Sequence, residues 1–163
     1  MKPRQKYQTC MEKLERERKL IESSNLLKIA PFRLDMLLLE ARILLRFILN
    51  ELSTDKKIIG RLKRIIKQIQ KEGRNDFYAH GLILLAGLQS LISSPVDAEN
   101  LLTDSLKPLK ILGMNLAVRS VELRLKQIRG LKLQTDDFHL FNELQFENGF
   151  KWLDFAVPMM PAP

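Results

Sequence analysis

Cysteine occurs once in this 163-residue chain, at Cys10, so no disulfide can form within it. A chain of this length buries roughly 68–70% of its unfolded surface and holds together without such staples. The opening MKPRQKYQTC lacks the apolar run of a secretory signal, and a reducing cytoplasm is the expected compartment. No long hydrophobic run is present either. The greasiest stretch, Leu34 to Leu52, is broken by Asp35, Glu40, Arg42, Arg46 and Asn50, and no membrane span is expected. Glycine is sparse at seven, and no glycine-rich phosphate loop, HExxH pair or EF-hand pattern occurs. The two histidines, His80 and His139, lie far apart and outside any metal-ligand spacing. Catalysis needs an activated group beside its partner, and none is visible. The sequence therefore points away from an enzyme, a metal site or a cofactor carrier.

Charge is plentiful and uneven. Lys+Arg number 27 against 19 Asp+Glu, a formal +8. Residues 55–74 hold eight basic and two acidic groups, whereas 133–163 hold one and five. A local basic feature opposed by an acidic tail differs from a uniformly basic protein.

Strand signals are missing, and helical periodicity runs almost throughout. A first helix carries Tyr7, Cys10, Met11, Leu14 and Ile21 on one stripe, which predicts a buried structural thiol at Cys10. A second, about Phe32 to Glu51, has one stripe from Leu34 to Ile48 and another at Leu39, Ile43 and Phe47. Two stripes place it centrally. A third, capped by Ser53, Thr54 or Asp55 and ended by Gly73, turns isoleucines to one side. Its other side carries Lys56, Lys57, Lys63, Arg64, Lys67 and Lys71. A fourth begins at Asp76, a fifth near Asp97 with Pro108 inside it, and a sixth spans Asn115 to Gly130. Alternation of doubly packed with one-faced helices predicts an all-α chain of stacked antiparallel hairpins, about six or seven helices in all. A plain helical bundle is the other arrangement that this periodicity allows.

Shifting the sequence by 34 residues takes Leu82 to Leu116 and Ala86 to Ser120. Within 79–112, Leu82, Leu85, Ala86, Ala98, Leu102 and Ser105 have the spacing at which small side chains let two helices approach closely. Here the chain resembles tetratricopeptide (TPR) repeats, similar to the degenerate arrays of bacterial signalling ATPases and MalT-type activators. In the earlier unit Ala41 fits the small position while Leu62 stands where a small residue is expected. The resemblance implies a short right-handed solenoid over 1–132 that acts as a protein-interaction adaptor, scaffold or regulatory module. It further implies a peptide groove lined by the first helix of each hairpin, with Arg42, Arg46, His80 and Arg124 on it. Such a groove prefers an acidic or carboxylate-bearing segment. About three repeats are needed for stability, so the expectation is either a piece of a larger multidomain protein, self-association, or a cap over the exposed end.

Residues 133–163 form an acidic aromatic segment with Phe138, Phe141, Phe146, Phe150, Trp152 and Phe155. Thr135 or Asp136 caps a short helix expected to end at Asn148-Gly149. Two readings stand: a hydrophobic cap folded onto the last helix, or a partner-binding segment. The tail is also a candidate occupant of the groove, as a plug that a partner displaces. For the basic helix, the alternatives are nucleic-acid phosphates, an anionic membrane surface, or a solvated face. No aromatic interleaves these cations for base stacking, so nucleic-acid binding there is expected to be secondary and non-specific.

Overall fold

The computed structural model describes residues 3–144 and 148–159. Among them are eight α-helices and two short 3-10 turns, with no strand. The helices are α1 (Pro3–Ser23), α2 (Ala30–Glu51), α3 (Lys56–Lys71), α4 (Asn75–Ile92), α5 (Pro95–Ile111), α6 (Asn115–Ile128), α7 (His139–Glu143) and α8 (Gly149–Ala156). The all-α class is as read from the sequence. The count exceeds the expected six or seven because the tail breaks into two short helices.

Local chemistry sets most boundaries. Asp55 accepts the Lys57 backbone N–H at 2.8 Å to start α3. Gly73 follows that helix at φ +72°, a left-handed turn that costs a glycine little. Ser94 accepts from Asp97 N–H at 3.2 Å and Pro95 opens α5, where its missing N–H has no cost. Pro108 sits inside α5 without ending it, and the helix runs on to Ile111. Asn148 accepts from Lys151 N–H at 2.9 Å and so begins α8. This corrects the expectation that Asn148-Gly149 closes a helix.

Each helix from α1 to α6 packs on the next, and α2 also reaches α4. The buried residues form two clusters. One joins α2 and α3 through Leu34, Leu44, Leu45, Ile48, Leu62 and Ile69, with Phe77, Leu84 and Leu88 of α4. The other joins Ala79, Ile83 and Ala86 of α4 to Ala98 and Leu102 of α5, to α6, and to the tail. Ala41, Ala86, Ala98, Ser105 and Ser120 are fully buried. Glu40, also buried, accepts from Arg61 at 2.8 Å and from Arg18 at 3.3 Å, tying α1 and α3 to α2.

Cys10 is exposed, contrary to the buried thiol that its stripe predicts. Among the helices, α1 packs against α2, which covers Met11 and Leu14 and leaves Cys10 at the edge.

Candidate functional site

Alternate first helices α2, α4 and α6 contribute Arg42 and Arg46, His80, and Arg124 respectively. The C-terminal segment links three of these cations. Arg124 Nε donates to the Val157 carbonyl at 2.8 Å, and its Nη2 pairs with Asp154. Arg46 Nη1 reaches the other oxygen of the same carboxylate at 3.7 Å. Arg42 stacks its guanidinium on Phe155, 4.8 Å from the ring centroid. The acidic aromatic tail thus lies on the face assigned to an acidic segment.

Burial governs the electrostatics there. Desolvation lowers Arg42 to about 10, and it remains cationic at neutral pH. Desolvation also lowers Arg124, opposed by its hydrogen bond to Asp154. His80 falls to about 4, first through burial and then through the charge of Arg42. Its Nδ1 is buried and lacks a hydrogen-bond partner among the described residues. The imidazole is therefore a neutral packing group.

The tail is built into the core. Leu153, Ala156, Val157 and Met159 are buried with Ala79, Ile83 and Ala86. Gly87 permits this approach, because a Cβ there would stand 2.2 Å from the Pro158 carbonyl oxygen and 2.7 Å from Leu45 Cδ2. Of the aromatics singled out, Phe138 and Phe141 are buried, Trp152 is half-buried, and Phe150 and Phe155 are exposed. Phe146 lies outside the described residues. A second anchor holds the start of the segment. Asp137 accepts from Lys126 at 2.6 Å, from Arg119 at 3.1 Å and from Gln134 N–H at 3.0 Å. The Lys126 hydrogen bond, with that from Gln134, keeps the Asp137 carboxyl below its usual range.

Two openings flank the tail. A cleft of about 1020 Å3 includes Arg46, Asn50, Arg124, Gln127, Lys132 and Asp154 in its lining. A smaller pocket of about 280 Å3 lies between α1, α2 and α8. Sequence reasoning assigned Tyr7 and Phe47 to packing stripes and so missed their role as walls of this pocket. On the opposite theme, Lys56, Lys57, Lys63, Arg64, Lys67 and Lys71 are all exposed on α3, and none forms an ion pair among the described residues. Arg61 of the same helix turns to Glu40 instead.

Among the described residues no cluster of His, Cys, Asp and Glu is arranged to hold a metal ion. No described helix is long and apolar enough to cross a membrane. The chain matches no protein-family model, no curated protein and no solved structure.

Proposed function

We propose that the chain is a non-enzymatic protein-interaction module, a TPR-like adaptor or regulatory array working in the cytoplasm. Its partner is an acidic segment of another protein, docked on the face that carries Arg42, Arg46 and Arg124. One observation carries this reading: the same face already holds an acidic aromatic segment, with Asp154 between Arg46 and Arg124 and Phe155 on Arg42. Two guanidiniums share the Asp154 carboxylate and the third, Arg42, lies on the Phe155 ring with no carboxylate paired to it among the described residues, so positive charge is left for a second anion. The succession of helix neighbours and the burial of Ala86, Ala98, Ser105 and Ser120 support the repeat reading.

The depth of the tail refines the mode of binding. Leu153 and Val157 are each 1% exposed, which suits a permanent cap better than a displaceable plug. A partner then uses the openings beside the tail. Co-purification from the native host tests this, comparing the natural chain with the Arg42→Glu/Arg46→Glu pair. Charge reversal is expected to remove the captured protein while the helical spectrum persists. Capture that is unmoved by the reversal rules the face out.

A second reading rests on the six exposed, unpaired cations of α3. They suit phosphates of nucleic acid or an anionic surface, bound with strong salt dependence and little sequence preference. Titration with duplex DNA and with RNA at two salt concentrations tests it. No binding at the lower salt removes the nucleic-acid version.

A further inference from the structure

The second apolar stripe of α2 is only partly covered. Tyr7 of α1 stacks on Phe47 with ring centroids 4.1 Å apart, and beside them the stripe opens into the 280 Å3 pocket. Ile43 and Phe155 complete its apolar wall, and Cys10 stands in the lining. Two guanidiniums, Arg42 and Arg46, share this pocket. Arg42 has no hydrogen bond or ion pair among the described residues, although it is half-buried. Arg46 has only the 3.7 Å contact with Asp154, a carboxylate that Arg124 holds more closely.

An apolar cavity with cationic charge left over at its wall selects an anion with an apolar body. The planar guanidinium fork matches a carboxylate in particular. The volume corresponds to roughly nine waters of liquid, just under the range of drug-sized pockets, which limits the body to about an eight-carbon chain or one aromatic ring. We propose that this pocket binds a carboxylate carried on a compact apolar body, with the carboxylate on Arg42 and Arg46 and the body against Tyr7, Phe47 and Phe155. Two sources present that chemistry: a free medium-chain or aryl acid, and the terminal carboxylate of a peptide ending in an apolar residue. The assignment rests on the interaction face proposed above and names the group that this part of it recognises.

Cys10 provides the readout, since it is the sole thiol and lines the pocket. The full chain is titrated with octanoate, with 1-octanol as its neutral counterpart, and with a short peptide ending in Phe as the free acid and as the amide. Calorimetry measures binding, and the rate at which a thiol reagent modifies Cys10 reports occupancy of the pocket. Octanoate or the peptide acid is expected to bind with one-to-one stoichiometry and slow Cys10 modification at least fivefold. The octanol or amide counterpart should bind at least tenfold more weakly. Arg42→Met should cost at least tenfold in affinity, and Arg46→Met, measured in parallel, should weaken binding if the first variant misfolds. Binding by octanoate alone assigns the free acid, by the peptide acid alone the peptide terminus, and by both the shared chemistry. Equal binding of acid and neutral counterpart, or no binding of either acid, overturns the proposal. Loss of partner capture on charge reversal with no acid binding retires the pocket and keeps the face. Acid binding with charge-insensitive capture retires the face and keeps the pocket.

Discussion

His80 occupies a site where charging would be costly. Burial, then the neighbouring Arg42 charge, puts its folded pKa near 4 against an ordinary 6.5. Between those values the unfolded chain binds a proton that the folded chain does not, so stability rises with pH across that window and is lost as pH falls through it. A shift of this size corresponds to on the order of 3 kcal/mol. Asp76, Asp97 and Asp137 have lowered pKa values as well, but their unfolded value of 3.8 places their loss below this window. Urea unfolding of the natural chain is therefore expected to gain stability from pH 4.5 to 7. His80→Gln should flatten that rise. An equal rise in the variant would mean that the imidazole is solvated or paired. Cys10 makes the complementary point, since a thiol on an apolar stripe is buried only if enough helices cover that stripe.

At the scale of elements, legibility followed the range of the interactions. The register of α3 was plain because its cap, its isoleucine face and its cation face are all set within sixteen residues. The pairing of Glu40 with Arg18 and Arg61 was not, since i,i+22 and i,i+21 partners leave no periodic signature. Asn148-Gly149 is ambiguous for a chemical reason: Asn caps a helix start and Gly follows a helix end, so the pair signals either. The Asn148 side chain accepting from the Lys151 N–H makes this one a start. The repeat resemblance points to Arg42, Arg46, His80 and Arg124, and three of these touch the tail or pair with it. Gly87 tests the fit between α4 and the tail. Gly87→Ala leaves helix propensity improved yet sets a methyl against the Pro158 carbonyl and Leu45. The expected outcome is a destabilisation of about 1–3 kcal/mol, read by denaturant unfolding. Faster amide hydrogen exchange in α8 should accompany it. A stabilised variant would show that the tail does not approach α4 this closely.

For the molecule as a whole, the formal +8 divides into unequal duties. Arg46, Arg119, Arg124 and Lys126 are engaged by carboxylates of residues 133–159, while six cations of α3 have no carboxylate partner among the described residues. The segment thus closes the second core both by charge and by apolar burial of Leu153, Ala156, Val157 and Met159. Ending the chain before Asn148 strips Arg124 of its Val157 and Asp154 partners and uncovers Ala79, Ile83 and Ala86. Each lost large side chain contributes about 2–5 kcal/mol, against a total stability of about 5–15 kcal/mol for a domain of this size. A chain ending at residue 147 is therefore expected to lose cooperative thermal unfolding or to aggregate. The α2 and α3 core does not include the tail, so residual protection against hydrogen exchange should survive best in Leu44, Leu45, Leu62 and Ile69. A truncated chain that melts as sharply and at the same temperature as the full one would mean that the segment rides on the fold without holding it. In that case the tail, rather than the openings beside it, becomes the element to which partners bind.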